Sequence, residues 1–201
     1  MTPKGERRRY ALISAAAELL REEGFEAVRH RAVARRAGLP LASTTYYFSS
    51  LDDLVHKAVE YICAVEVAQL RARVDALPRR RRGAEATADV LVDLLVGDPE
   101  GEASSEELVS RYERYIACAR QSELREIQHR LSRQRVDAVA EVIGRSGRTM
   151  RIDLVTALIN AVDGAVVSAL VSDEGPREVA RATLLDVIDV LAPIDERTAR
   201  V

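Results

Sequence analysis

An all-α fold is what this sequence predicts, and three observations lead there. Apolar residues recur every three or four positions through most of the chain. The apolar/polar alternation of a half-buried strand is nowhere sustained, and Gly, Pro and Ser clusters divide the periodic stretches into helix-sized pieces. No internal repeat emerges, and 201 residues suffice for one sizeable core or for a small domain joined to a larger one.

The first helix is predicted in "YALISAAAELLREEGF", where Leu12, Ala15, Ala16, Leu19 and Leu20 keep helical spacing in an Ala- and Leu-rich run that stops at Gly24. "RHRAVARRAG" gives a short second helix with Ala32, Val33 and Ala37 on one side, arginines on the other and Gly38 as its stop. Pro40 forbids simple continuation, and a third short segment runs from about Leu41 to Phe48. Two short helices around a Gly-containing turn form the helix-turn-helix pattern.

A long fourth helix follows in "SSLDDLVHKAVEYICAVEVAQLRARVDAL". Ser49 or Ser50 can accept its orphan N–H groups, Asp52 and Asp53 complement the dipole, and Leu54, Ala58, Ile62 and Val65 carry the periodicity. The arginine run of "PRRRRG", residues 78–83, reads as a solvated loop. Helices are then expected from about Ala84 to Val96, from Ser105 to about Arg120 and from Ser122 to about Ile143, with the loop "GDPEGEASS" between the first two. "MRIDLVTALINAVDGAVVSALVSD" is the most apolar stretch. Its polar or small positions Asp153, Thr156, Asn160, Asp163 and Gly164 leave a broad apolar arc, which needs two neighbours to cover it. "GPREVARATLLDVIDVLAP" supplies the last helix, with Val179, Thr183, Leu184, Val187, Ile188 and Leu191 on one face.

Composition narrows the function classes. No run of eighteen uninterrupted apolar residues occurs and "MTPKGERRR" leads into no signal-peptide core, so neither a membrane span nor a leader is indicated and a cytoplasmic protein is expected. Cys63 and Cys118 are too few and too far apart for a disulfide framework or a metal knuckle, and read as buried filler. His30, His56 and His129 lack ligand spacing with carboxylates or cysteines, and no GxSxG or P-loop is present. No metal, no cofactor and no enzymatic activity are expected; a helical enzyme using Tyr112, His129 and Asp163 as loose acid-base groups is the catalytic alternative. The net charge of -2 hides an asymmetry: residues 1–48 hold nine Lys/Arg against five Glu, or +4, which leaves -6 for the remainder. A basic head on an acidic body suits a polyanion held by one end, although a solvated charged helix has the same composition.

A helix that enters a DNA major groove about 12 Å wide must present short side chains to base edges. Ala42, Ser43, Thr44 and Thr45 meet that requirement, with Leu41 at the entry to the segment. Tyr46 and Tyr47 suit phosphate contacts, since a ring can pack on the domain while its hydroxyl reaches the DNA backbone. Phe48 has no polar handle and is expected to anchor the segment to the core, with Phe25 and Leu39 as neighbours.

The stretch "GFEAVRHRAVARRAGLPLASTTYYFSSLDDL" resembles the TetR family of bacterial transcriptional regulators, through Gly24, Phe25, Ala34, Ala37, Gly38, Tyr46, Phe48 and Leu54. The resemblance implies a three-helix DNA-binding head at residues 1–50, with the helix-turn-helix at about 29–48, and a larger helical body at 51–201 for effector binding and dimerisation. It further implies a repressor released from double-stranded operator DNA by a small molecule, acting as a homodimer without a membrane. Three positions depart from the family pattern: Arg29 replaces a capping Thr, Pro40 a capping Ser, and Leu51 a Lys at the start of helix four. Arg29, His30 and Arg31 then become candidates for backbone contacts. Tyr61, Val65, Tyr112, Tyr115, Asn160 and Asp163 are the candidate effector-pocket residues. Leu158, Val162, Ala165, Val166, Ala169, Leu184, Ile188 and Leu191 are the candidate dimer seam, where Gly164, costing about 1 kcal/mol in a helix interior, makes sense if another helix crosses closely. A DNA-binding architectural protein without effector and a helical interaction module remain as alternatives. The basic "KGERRR" segment either touches a minor groove or solvates the terminus.

Overall fold

The computed structural model describes residues 2–97 and 105–195, so most of "GDPEGEASS" lies outside the described residues. Among them the fold is all-α: α1 (Pro3–Glu23), α2 (His30–Arg36), α3 (Ala42–Tyr47), α4 (Leu51–Ala76), α5 (Ala84–Leu95), α6 (Ser105–Arg120), α7 (Ser122–Arg145), α8 (Ile152–Ala169) and α9 (Pro176–Leu191), with a 3₁₀ turn at Phe25–Ala27. The chain packs as two compact units, residues 1–66 with 104–131 and residues 67–103 with 132–201.

In the first unit, α1 begins earlier than its apolar periodicity suggests. Thr2 Oγ1 accepts from the Gly5 N–H at 3.3 Å and Pro3 takes the N1 position, so the basic segment forms the first turns of a helix and not a loose arm. Gly24 ends α1 at φ 78, where a Cβ would also meet Glu113 Oε2 at 3.0 Å. Leu12, Leu19 and Leu20 are buried along α1, each contributing about 1.5–3 kcal/mol of apolar burial. α1 packs against α2 and α6.

The turn between α2 and α3 has a full local account. Gly38, at φ 64, donates its N–H to Arg35 O (3.2 Å), and the Leu39 N–H reaches Ala34 O (2.9 Å). That is a Schellman closure, which satisfies α2's last carbonyls and needs a residue tolerant of the left-handed region. The start of α4 is a capping box: Ser50 Oγ accepts from the Asp53 N–H at 3.0 Å, while Asp53 Oδ2 accepts from the Ser49 N–H at 3.0 Å.

In the second unit, α8 and α9 run antiparallel, since a bridge between Arg148 and Ile194 joins the start of one to the end of the other. α9 also lies on α5, held by Arg177–Asp93 (2.5 Å) and Arg181–Asp89 (2.6 Å). In "PRRRRG", Pro78, Arg79, Arg80, Arg81 and Gly83 are exposed as expected of a solvated loop, and Arg82 alone departs from that reading. Arg82 is buried and its guanidinium donates to the carbonyls of Pro78, Arg80 and Arg145, while Arg145 Nη1 donates to Val74 O and Leu77 O. Each arginine thus supplies donors to carbonyls left open at a helix C-terminus, Arg82 at that of α7 and Arg145 at that of α4. Composition does not reveal that use of an arginine run. α8 is long and apolar enough to cross a membrane by length and composition alone, yet Leu158, Val162 and Val166 are buried in its own unit and Asp163 holds Arg135.

Candidate nucleic-acid interface

α3 is six residues long, so its rotation about its axis decides which side chains are available. Thr44 and Phe48, four apart, face inward and are buried. Ala42, Thr45 and Tyr46, at the i, i+3, i+4 spacing of a common face, point outward. Tyr46 is 81% exposed, Leu41 is exposed ahead of it, and Ser43 and Tyr47 are half-buried. The Tyr46 and Tyr47 rings meet edge to face at 4.9 Å, which fixes their relative orientation.

Thr44 is a correction to the sequence reading. Its hydroxyl turns back onto Leu41 O at 2.8 Å, so it braces the first turn of α3 and has no path to a base edge. The period of the helix gives no warning, because one turn of short polar residues does not reveal its inner side.

The charged side chains separate into two populations. Arg36 lies among Glu22 (2.9 Å), Glu18 (3.5 Å) and Glu23 (3.6 Å), and the hydrogen bond to Glu22 is the main reason its guanidinium titrates above its ordinary value. It braces α2 to α1. Arg29, exposed at the start of α2 with no capping side chain, pairs with Glu26 at 2.5 Å. Arg31 and Arg35 are exposed and carry no ion pair among the described residues. Arg35 is an addition to the sequence reading, since nothing along the chain distinguishes it from Arg36. His30 is half-buried, and its Nδ1 is buried without a partner among the described residues. Arg9 of α1 places its guanidinium 5.4 Å from the centre of the Phe48 ring, a cation-π contact that ties α1 to the end of α3.

The remaining candidates fare unevenly. Tyr61 is engaged by Tyr10, hydroxyl to hydroxyl at 3.1 Å with rings edge to face at 5.5 Å. Val65 and Tyr112 are half-buried, and Tyr115 is exposed. In the second unit Asn160 is exposed, while Asp163 accepts two hydrogen bonds from Arg135 at 2.8 and 3.0 Å, which accounts for it structurally. A shallow groove of about 170 Å³ between the later parts of α4 and α7 includes Leu70, Arg71, Gln134 and Glu141 and none of these six residues. Ligand pockets usually run from about 300 to 1,000 Å³.

The candidate dimer seam also needs correction. Leu158, Val162, Val166, Ala169, Leu184 and Ile188 are buried within the protomer, and Ala165 and Leu191 are half-buried. The buried ones are spent on the chain's own core, where α8 packs on α9 and α9 on α5. The outward apolar residues of the pair are Ile152, Val167, Val171 and Val190.

Two short helices joined by a Schellman turn, one of them outward-facing beside unpaired arginines, define a helix-turn-helix protein. The chain belongs to the TetR family: a family model for bacterial regulatory proteins of the tetR family matches residues 12–58, and one for tetracyclin repressor-like C-terminal domains matches residues 82–190. A protein of Streptomyces coelicolor A3(2) assigned as a transcriptional regulator is similar at 28% identity, covering 91% of this chain and 96% of its own, with a TM-score of 0.66. The multidrug binding protein EbrR, complexed with imidazole, is similar at 28% identity over 89% of this chain and 93% of its own, with a TM-score of 0.64. A protein of Saccharomonospora viridis in complex with choline shares the fold at 18% identity, with 93% and 98% covered and a TM-score of 0.73. No curated protein matches the chain.

Proposed function

We propose that this chain is a cytoplasmic transcriptional repressor that binds operator DNA through α2 and α3 and releases it when a small molecule binds the larger domain. The observation that carries the DNA part is the outward face of α3, where Ala42 and Thr45 are short enough for base edges and Tyr46 can reach a phosphate. Leu41, Ser43 and Tyr47 flank that face; Arg29, His30 and Arg31 line the start of α2. Functionally the DNA-reading head is residues 1–50 and the remainder serves effector and dimer.

The dimer reading moves to the other side of α8. Thr156, Ala157, Asn160, Ala161, Gly164 and Ser168 are exposed there at helical spacing, with Val167 and Val171 beside them and Val190 on α9. Within the protomer a Cβ on Gly164 would meet nothing within 4 Å, so a close crossing at that point is left to a second copy. Two copies present two recognition helices, which must match half-sites about 34–36 Å apart. A shift of α4, which starts directly after α3 and supplies residues to both units, alters that spacing.

Ethidium and proflavin, which EbrR holds in its complexes, are the first effector probes. The second reading is a DNA-binding protein without effector. The deciding experiment is operator selection from a random duplex library, followed by titration of the selected duplex with and without each dye. Selective binding that weakens about five- to 150-fold with dye matches a coupling of about 1–3 kcal/mol. Selective binding that no effector alters supports the second reading, and failure to bind any duplex at low salt removes both.

A further inference from the structure

We propose that the buried Arg114 guanidinium is a carboxylate-binding group, at which the carboxylate of an apolar organic acid takes the place of Glu66. This rests on the effector reading above and gives the effector a chemical class that the reading leaves open.

The site lies within the first unit, where Arg114 of α6 meets Glu66 of α4. The Arg114 side chain is 4% exposed and Glu66 27%, and Arg114 Nη2 donates to Glu66 Oε1 at 2.5 Å. Arg114 Nε is buried and has no partner among the described residues. Nε–H and the Nη2–H beside it are the two parallel donors with which a guanidinium holds a carboxylate side-on. Glu66 takes one of them and leaves the other open. In the second unit, by contrast, Arg135 gives Asp163 two hydrogen bonds. Burying a charge with a donor left open is costly, and a second carboxylate oxygen removes that cost.

Charge and surroundings select the occupant. Exchange of one carboxylate for another keeps the charge of the site constant, and the exposed part of Glu66 gives that side chain a way out to water. A dianion would leave an excess negative charge in a buried place. Ile62 and Cys63 precede Glu66 by four and three residues and Cys118 follows Arg114 by four, so all three share faces with the pair, and all are buried. Burial pushes both thiols up and the Arg114 charge opposes it in each, which puts the guanidinium beside both. An acid with an apolar body suits such walls. Exchange also breaks an ion pair between α4 and α6, and α4 follows directly on the recognition helix α3.

The test uses the full-length protein with benzoate and hexanoate as acids, benzamide as the neutral counterpart of benzoate and inorganic phosphate as the dianion. Binding is measured by calorimetry for wild type, E66Q and R114K, with thermal melts to confirm folding, and operator affinity is titrated with each acid. Wild type is expected to bind an acid and neither benzamide nor phosphate. E66Q removes the competing carboxylate and is expected to bind the acid about tenfold or more tighter. R114K keeps the charge but loses the fork, and is expected to bind it about tenfold or more weaker. If R114K does not fold, the sign of the E66Q effect decides. Acid binding absent from both wild type and E66Q overturns the inference, as does benzamide bound as tightly as benzoate. Either result spares the effector reading where ethidium or proflavin still releases the operator. An acid that binds through Arg114 without weakening operator binding overturns the effector role of the site. An operator complex that neither acid nor dye weakens overturns the inference and the effector reading together.

Discussion

α3 and α8 make an instructive pair. α3 has six residues and is read from its outside, where Ala42, Thr45 and Tyr46 are available to a partner. α8 has 18 residues and is read from its inside, where Leu158, Val162 and Val166 fill the core against α9. Helical periodicity identifies both helices, but it says only which residues travel together. Which face a neighbour covers is a property of the packing. The large apolar residues of α8 therefore mark the core, and the smaller residues behind them are left exposed, where the proposed dimer would use them.

Substitution on the two sides separates these roles. Leu158→Ala or Ile188→Ala is expected to lower the free energy of unfolding by about 2–5 kcal/mol in urea titrations, because each leaves a cavity in a closed core. A loss below about 1 kcal/mol would return these residues to the interface. Burial also governs a titration on α4, where it pushes the Cys63 thiol up to about 12 from an ordinary value of 9.0. The folded state then keeps a proton that the unfolded chain releases, so stability is intact below about pH 9 and falls as pH rises toward about 12, by about 4 kcal/mol in all. Comparing the pH dependence of stability between wild type and Cys63→Ala checks this: the variant should lack that part of the decline.

The outer faces should respond in binding and not in folding. Tyr46→Ala is expected to cost about 1–3 kcal/mol of operator affinity with an unchanged melting temperature, by titration of the selected duplex. Val171→Asp combined with Val190→Asp should raise the dimer dissociation constant about tenfold or more, measured by sedimentation, since both valines point away from the protomer core. A dimer unaffected by that pair would place the interface elsewhere. The smallest effect is reserved for Thr44→Val, expected to cost about 0.5–1.5 kcal/mol of stability through loss of the hydroxyl bond to Leu41 O while base selectivity is retained. A change of selectivity there would restore Thr44 to the reading face.

Much of the head is legible along the chain because its signals are local. Gly24 and Gly38 stop helices for backbone reasons, and the Ser50/Asp53 pair starts one through its own hydrogen bonds. The α1 N-terminus is less legible: its periodicity begins at the apolar residues, whereas the helix itself begins at Pro3 behind the Thr2 cap, well ahead of Tyr10. Arg82 and Arg36 are illegible for the opposite reason. Their partners are carbonyls and carboxylates elsewhere along the chain, so Arg82 reads like its solvated neighbours Arg79, Arg80 and Arg81, and Arg36 reads like Arg35.

The all-α class, the order of helices, the helix-turn-helix and the family all follow from residue order, because periodicity, caps and turn residues act within a few positions of one another. That Thr44 faces inward, that α8 spends its large apolar side chains on α9, and which arginines remain unpaired are matters of packing. Each depends on what occupies the space beside a residue, and that neighbour arrives from far along the chain.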